Sequence, residues 1–502
     1  MLMLHVDKEK PESVYRQLLD QITDLIEKGV LRPGYRMPSS RQLAGQTGLN
    51  RSTIVRVYEE LWALGYVEST PGSYTRVRRR MPVVHPRAGG GQASGSGTTD
   101  AGDRGEPNVQ GADAPARGGI QGAGTPVQGG ILGAAGHAET IRMDLLEPDP
   151  RLIDRRMFKA CAREAIGDPK AGFFGYTHPR GYPPLRDVLG QHMRLHGIHA
   201  SDENILITNG SQNSLQLVFQ SFATEKTTVA VESPTYSMVI PLLRTLGVKV
   251  AEIPMKRDGM DLNVLSRHMQ TGKIGLVYSM PTFHNPTGVT MSQSGREELL
   301  RLCERHKALL VEDGIEEEMK FFGKTHLPVK SMDKKGVVIY LGSFSKVMAP
   351  GFRTSWVIAD KKIIERLAEV KTAFDLGSNT ASQAILHRFC ASGGYELHIR
   401  RMMRAFRKRL QNALDCLKTC IPAEKASWEA PLGGFLIWVK VHGLKPGTDL
   451  ERHFLQHGVA IRDGRSFYYS HRHSSHIRIS ISGCSEWEIE EGIKRIGRAL
   501  SV

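Results

Sequence analysis

The residues with the clearest chemical meaning form the string Ser343-Phe-Ser345-Lys346, which is followed seven residues later by Arg353. A lysine after an apolar run can hold an aldehyde as a Schiff base, and the adjacent hydroxyls and arginine suit a phosphate on the same molecule. Alone, this string would be interpreted as a surface loop. Other motifs argue against that interpretation because they occur with it in one order along the chain: Tyr176, Gly210-Ser-Gln212, Asn285-Pro-Thr-Gly288 and Glu312-Asp313-Gly314.

The elements that must position these residues follow an α/β pattern. From about residue 141 onward, apolar runs typical of buried strands alternate with amphipathic stretches typical of helices. This pattern predicts a mostly parallel sheet covered by helices. The predicted strands are 204–208, 228–231, 274–278, 308–311 and 337–341. Because polar and glycine-rich residues follow these runs directly, we expect a large ligand site at the carboxyl ends of the strands.

The first 80 residues predict a DNA-binding module. Apolar residues at 14, 18, 22, 25 and 26 have helical spacing. Ser39 is a candidate N-cap for a helix that continues to Gln46, and Asn50 is a candidate N-cap for a second helix that continues to about Leu64. Two helices joined by a tight turn at Gly48 make a helix-turn-helix, and residues 65–69 and 73–77 predict a hairpin, or wing.

Polar donors lie where such a module meets nucleic acid. Arg51, Ser52 and Thr53 begin the second helix and Arg56 follows, while Arg76 lies in the wing. Side chains of these types suit phosphates and base edges. The alternative from pattern alone is a helical bundle with a solvated basic face.

Composition separates this head, residues 1–80, from a body at residues 141–502. Residues 81–140 are rich in glycine and contain no Phe, Trp, Tyr or Lys, which predicts a disordered linker. The net charge of +15 permits an anionic partner. No apolar stretch approaches the roughly 18 residues of a membrane span, and the N-terminus lacks a secretory pattern, so we expect a cytoplasmic protein with no membrane partner.

Residues 13–77 resemble the winged helix-turn-helix of the GntR family of bacterial transcription regulators. The similarity is clearest in Leu31-Arg-Pro-Gly-Tyr-Arg-Met-Pro-Ser-Ser-Arg-Gln-Leu-Ala44 and Asn50-Arg-Ser-Thr-Ile54. It implies a double-stranded DNA operator as partner, with Gly72 bringing the wing tip to the minor groove. Many members carry an arginine where this chain has Val55, so that contact is assigned to Arg56. The predicted DNA-binding residues are Ser39, Arg41, Asn50, Arg51, Ser52, Thr53, Arg56, Gly72 and Arg76.

Residues 141–502 resemble the fold-type I pyridoxal phosphate enzymes of the aspartate aminotransferase family. The resemblance implies that Lys346 forms the Schiff base with the cofactor and that Asp313 pairs with the pyridine nitrogen. It also implies that Asn285 hydrogen-bonds the phenolic oxygen and that Tyr236 stacks on the ring. Arg478 matches the arginine that binds the α-carboxylate of an amino acid. The residues assigned to the phosphate are Ser211, Gln212, Ser343, Ser345 and Arg353, with Tyr176 reaching it across a dimer interface.

Two departures from that family concern the cofactor. The family's tyrosine two or three residues after Asp313 is replaced here by Ile315 and Glu316, so the cofactor's electronics are expected to differ. The glycine that is usual two residues after Arg353 is Ser355. A metal is not predicted, because the histidines before Arg478 lack a Cys or carboxylate at regular spacing and favour a polar loop: His471, His473 and His476.

The order of head, linker and body is that of the MocR subfamily of GntR regulators. This resemblance implies a pyridoxal phosphate-dependent transcription regulator that senses an amino acid or amine by forming an external aldimine, and that assembles as a head-to-tail homodimer. A catalytically active aminotransferase with a DNA-binding head is the main alternative, because every cofactor contact except the tyrosine is present. A vestigial dimerisation scaffold is disfavoured because Lys346, Asp313, Asn285 and Arg353 are intact.

Overall fold

The computed structural model describes residues 4, 6–7, 14–27, 30–63, 66–68, 75–77, 140–169, 172–323, 326–445, 447–470 and 473–501. Apart from Thr140, the predicted linker at 81–140 lies outside this set. Within it, no helix is long and apolar enough to cross a membrane.

The head is a helix-turn-helix with a two-stranded antiparallel wing, which confirms the predicted fold of this part. Its elements are α1 (Val14–Glu27), α2 (Ser40–Thr47), α3 (Arg51–Ala63), β1 (Val67–Glu68) and β2 (Arg76–Val77). Ser39 caps α2 in a capping box, since its hydroxyl accepts from the Gln42 amide and the Gln42 side chain accepts from the Ser39 amide. Gly48 ends α2 with φ +66°, where a side chain would be strained.

The body is built on a mostly parallel sheet, as predicted. Within the described residues it has eight strands in the order β4-β11-β10-β9-β8-β5-β6-β7. Neighbours from β10 through β6 pair in parallel, whereas β11 and β7 pair antiparallel. The strands are β4 (Ile205–Thr208), β5 (Thr228–Ser233), β6 (Lys249–Lys256), β7 (Gly259–Met260), β8 (Ile274–Ser279), β9 (Leu309–Asp313), β10 (Val338–Ser343) and β11 (Ser355–Ile358).

Helices alternate with the strands of the sheet along the chain. Buried apolar clusters that include residues of these strands form the core. The helices are α4 (Arg155–Gly167), α5 (Pro183–Met193), α6 (Ser211–Phe222), α7 (Val239–Thr245), α8 (Leu262–Gln270), α9 (Gln293–His306), α10 (Lys361–Asp375), α11 (Thr380–Ala391), α12 (Gly394–Cys420), α13 (Leu450–Gln456) and α14 (Glu486–Ser501).

The described part of the body also contains two smaller sheets. One has the order β12-β13-β16-β15, and the other joins β3 to β14 in parallel. Their strands are β3 (Ile141–Arg142), β12 (Ala426–Trp428), β13 (Leu436–Val441), β14 (Val459–Ala460), β15 (Arg462–Asp463) and β16 (His476–Ser480). We call residues 141–147, which begin with β3, the strap.

Candidate functional site

The predicted cofactor residues converge where the parallel strands end. Asp313 is the last residue of β9, Lys346 follows β10, and Asn285 lies in the loop after β8. Tyr236 follows β5, and Ser211 begins α6 just beyond β4. Because parallel strands present their carboxyl ends at one edge, residues far apart in sequence share this site.

Lys346 lies in a polar but water-poor environment. Burial lowers the pKa of its amine to about 8, against the opposing effect of the nearby Glu316 carboxylate. The Lys346 Nζ donates to the Leu146 carbonyl of the strap at 3.2 Å. About a tenth of this amine is therefore uncharged at pH 7, compared with well under a thousandth at the ordinary pKa of a lysine, and the uncharged amine is the form that attacks an aldehyde.

Asp313 is a buried carboxylate that would pair with a cationic ligand group. It is buried, and burial raises the pKa of its carboxyl to about 6. Tyr278 opposes that shift, because its hydroxyl donates to Asp313 Oδ2 at 2.8 Å. The Ile315 amide donates to Oδ1 at 3.3 Å. Sequence reasoning placed Tyr278 in a strand but missed this contact.

Arg478 and Asn285 form the side of the site that would meet both effector and cofactor. The Arg478 guanidinium donates to Asn285 Oδ1 at 3.3 Å and to the Asp144 carbonyl at 2.6 Å. Burial lowers the pKa of Arg478 to about 10, so it stays charged at neutral pH. The Asn285 Nδ2 and Arg478 Nε atoms are buried and have no hydrogen-bond partner among the described residues. Buried donors of this kind indicate a ligand that accepts from them.

The start of α6 gathers groups that suit an anion. The first amides of a helix have no intrahelical acceptor and favour an anion. Gly210 precedes the helix with φ +100°, and a Cβ there would lie 2.2 Å from Arg353 Nη2. Arg353 also donates to the Asn209 carbonyl at 3.3 Å. The buried Ser345 hydroxyl has no hydrogen-bond partner in the described part of the chain, so it is available to the same anion.

Other predicted phosphate residues have partners of their own. The Ser343 hydroxyl accepts from the Ser345 amide at 3.1 Å and from the Ser355 hydroxyl at 2.7 Å. Ser355, where the family usually has glycine, therefore holds Ser343 in place. The Gln212 side chain donates to the Met238 carbonyl at 2.9 Å, so its backbone amide is the group directed beyond the helix. Tyr176 is 92% exposed in the single chain.

Of the two residues that replace the family's tyrosine, Glu316 lies near Lys346. Ile315 is packed in the core, whereas Glu316 is buried and accepts from the Phe435 amide at 3.4 Å. Burial raises the pKa of Glu316 to about 7, against the effect of the nearby Lys346. Of the three histidines before Arg478, His476 stacks on Trp438, His473 is exposed and His471 lies outside the described residues.

The predicted DNA-binding residues of the head are mainly at its surface. Ser39, Arg41, Asn50, Arg51, Ser52 and Arg76 are exposed, and Thr53 is half-buried. Arg51 Nε donates to the Ser40 hydroxyl at 3.4 Å, which links the two helices of the motif. Tyr58 links α3 to the segment just before α2, since its hydroxyl donates to the Pro38 carbonyl at 2.7 Å. Gly72 and the side chain of Arg56 lie outside the described residues.

Fold and site together define a fold-type I pyridoxal phosphate-binding protein that carries a winged helix-turn-helix. Residues 149–496 match the family "Aminotransferase class I and II", and residues 14–77 match "Bacterial regulatory proteins, gntR family". The chain belongs to the aminotransferase class I and II family, and its gntR-family head identifies it with the MocR subfamily of regulators.

Similar proteins include both regulators and enzymes. The "Uncharacterized HTH-type transcriptional regulator YdfD" of Bacillus subtilis is 30% identical over 493 residues, which cover 98% of this chain and 97% of the relative. Kynurenine aminotransferase of Pyrococcus horikoshii, solved with PMP, is similar with TM-score 0.69 and 30% identity, over 72% of this chain and 91% of that one. LysN of Thermus thermophilus, solved with N-(5'-phosphopyridoxyl)-L-leucine, is similar with TM-score 0.68 and 27% identity, over 72% of this chain and 92% of that one.

These comparisons support pyridoxal phosphate as the cofactor, and the site's own residues fit it. The unpartnered Asn285 amide suits the phenolic oxygen, and the buried Asp313 carboxylate suits the pyridinium. The Gly210 and Arg353 cradle suits the phosphate.

Proposed function

We propose that this chain is a transcription regulator whose body binds pyridoxal phosphate and an amino acid or amine effector, and whose head binds a double-stranded DNA operator. The match of the whole chain to a regulator, across head, linker and body, supports this function over that of an isolated enzyme.

The observation that carries the proposal is the contact between the strap and the effector-binding groups. Four successive carbonyls of the strap accept hydrogen bonds: Met143 from the Ser480 amide, Asp144 from Arg478, Leu145 from the Ser482 hydroxyl and Leu146 from Lys346. The strap follows directly on the predicted linker. The two residues that would engage an amino acid are therefore the same two that hold the chain segment leading toward the head.

An effector changes those contacts for chemical reasons. When bound, pyridoxal phosphate supplies an aldehyde that reacts reversibly with primary amines. An effector bound beside it would place its amine against Lys346 and its carboxylate against the Arg478 guanidinium. The hydrogen bonds from Lys346 to the Leu146 carbonyl and from Arg478 to the Asp144 carbonyl would then change. Because the effector interacts differently with the two arrangements of the strap, it shifts the balance between them.

An exposed apolar patch supports a homodimer. Phe174, Tyr176, Phe374 and Leu376 are 62–92% exposed. The segments that carry them adjoin, since the Thr380 hydroxyl donates to the Gly175 carbonyl at 3.0 Å. The patch also adjoins the phosphate cradle, because Asn209 hydrogen-bonds Asp375 at 2.7 Å. A second copy covering this patch would remove the apolar surface from water and bring Tyr176 toward the partner's phosphate site. The head-to-tail arrangement is part of this proposal.

The test follows the strap and the chemistry in one sample. Full-length protein loaded with pyridoxal phosphate is mixed singly with amino acids and amines, while hydrogen exchange of the strap amides, the cofactor's visible spectrum and keto acid formation are recorded. The operator is selected from a random duplex pool, and its affinity is measured with and without each ligand. Lys346→Ala is the matched control, since it leaves the strap sequence intact.

If the chain is a regulator, one class of ligand should change both the hydrogen exchange of the strap amides and the operator affinity. This should occur without sustained keto acid formation, and neither change should occur in Lys346→Ala. Sustained turnover with unchanged operator affinity would instead establish an aminotransferase. The lowered pKa of Lys346, which suits proton transfer, is what favours that second function.

A further inference from the structure

A second cluster of ligating side chains lies outside the cofactor site. His192, near the end of α5, and His196, in the turn that follows, are four residues apart and face the same carboxylate. Their Nε2 atoms lie 2.6 and 3.1 Å from Oε1 of Glu318, which is 122 residues from His196 in sequence. All three ligand atoms lie within 4.8 Å of one another. Two imidazoles and a carboxylate in this spacing match the ligand set of three-residue zinc sites.

Each histidine also has a second carboxylate near its Nδ1 atom. His192 Nδ1 is 3.9 Å from Glu396 Oε1, and His196 Nδ1 is 3.9 Å from Glu317 Oε1. His192 Nδ1 and Glu396 Oε2 are buried and make no hydrogen bond within the described residues. Metal-bound histidines typically donate their other ring N–H to a carboxylate, which fixes the tautomer and directs Nε2 at the metal. A carboxylate therefore lies near the Nδ1 atom of each imidazole, at a distance longer than a hydrogen bond.

Burial and charge favour a cation here. The side chains of His192, His196 and Glu318 are 6%, 14% and 17% exposed, so the ligands are held largely out of water. Glu317, Glu318 and Glu396 contribute three carboxylates, against which Lys320 pairs with Glu317. A divalent cation bound between the imidazoles and Glu318 would neutralise the remaining negative charge of these carboxylates.

We propose that His192 Nε2, His196 Nε2 and the Glu318 carboxylate bind a divalent transition metal ion of the zinc type, with water completing a tetrahedral site. Glu318 belongs to the segment that leaves Asp313 at the end of β9 and carries Glu316. A metal at Glu318 would therefore anchor this segment beside the cofactor site. The proposal does not depend on the proposed regulatory function.

The test uses full-length protein purified without a histidine tag and dialysed against a chelator. Zn²⁺ affinity is measured by competition with a chromophoric chelator, metal content by mass spectrometry, and geometry by the visible bands of the Co²⁺ form. We expect one Zn²⁺ per chain and Co²⁺ bands typical of tetrahedral coordination. Glu318→Gln and His196→Asn should weaken binding by more than the roughly 10- to 100-fold that loss of an outer partner causes.

Two further variants separate ligand loss from misfolding. Glu396→Gln keeps all three ligands and should weaken Zn²⁺ binding less than Glu318→Gln does. His199→Asn removes an exposed histidine three residues beyond His196 and should bind as wild type does. Circular dichroism and pyridoxal phosphate binding report the fold of each variant. Wild-type affinity in folded Glu318→Gln, or less than one equivalent of Zn²⁺ in the wild-type chain, would overturn the proposal.

Discussion

Replacing Tyr278 by phenylalanine tests the electrostatics of the cofactor site most directly. The Tyr278 hydroxyl donates to Asp313 Oδ2 at 2.8 Å and stabilises the charged carboxylate. A hydrogen bond to a charged group contributes about 1.5–3 kcal/mol, and one pKa unit corresponds to about 1.4 kcal/mol, so its loss should raise the Asp313 pKa by about 1–2 units. The pKa of about 6 in the wild-type protein would become about 7–8.

This shift has a defined effect on cofactor binding. Asp313 must be ionised to pair with a pyridinium, so affinity is present above the pKa of Asp313 and is lost as the pH falls through it. At pH 7 the variant should bind pyridoxal phosphate about 2- to 10-fold more weakly, because half or more of its Asp313 is protonated. At pH 9 both proteins have an ionised Asp313, and their affinities should converge.

The assay is equilibrium dialysis of pyridoxal phosphate against each protein between pH 5.5 and 9. Tyr340→Phe is the matched control: Tyr340 is also buried, in the strand next to Asp313, but its hydroxyl donates to the Gly314 carbonyl at 3.4 Å. Both proteins lose a buried hydroxyl, and only one loses a bond to the carboxylate. Superimposable pH profiles for Tyr278→Phe and wild type would refute the reasoning.

Three other substitutions probe separate parts of the chain. Gly210→Ala should weaken pyridoxal phosphate binding at least about 10-fold in equilibrium dialysis, because the new Cβ collides with Arg353 and φ +100° disfavours a side chain. Unchanged affinity would contradict the proposal that Gly210 and Arg353 bind the phosphate. Arg51→Ala should weaken operator binding by about 1–3 kcal/mol in fluorescence anisotropy without changing cofactor loading; equal affinity would refute the recognition helix. Lys346→Ala should abolish the effector-dependent change in the cofactor's visible spectrum while circular dichroism stays unchanged, and a retained response would refute the assignment of Lys346.

The sequence was sufficient for the fold, and the residues that it assigns to the cofactor converge at one edge of the sheet. The carboxyl ends of parallel strands share one edge, so a motif placed after a predicted strand is also placed in space. Lys346, Asp313 and Asn285 converge for this reason. The helix-turn-helix could also be predicted, because Ser39 and Gly48 are local signals for the two ends of α2.

Contacts between elements could not be predicted in this way. Tyr278 reaches Asp313 only because β8 and β9 pair with Tyr278 opposite Val311, and this register has no signature in either strand alone. The strap was missed because its carbonyls, which every residue has, make the contacts to Lys346 and Arg478. Glu318 likewise meets His192 and His196 through the tertiary fold, so a search for regular ligand spacing passed over it.

Glu316 bears on whether the site is arranged for binding or for turnover. Exchange of amines at an aldehyde requires an uncharged Lys346 and an anchored effector carboxylate, and the lowered pKa of Lys346 and the charged Arg478 meet both requirements. Turnover also requires control of the cofactor's electrons through its phenolic oxygen, where the family's tyrosine is absent and Asn285 remains. Glu316 has instead been buried beside Lys346 with a pKa of about 7, so its ionised form raises the pKa of the amine. Lys346 and Arg478 thus retain what reversible amine binding needs, whereas the tyrosine that transamination uses is absent, which favours a sensor.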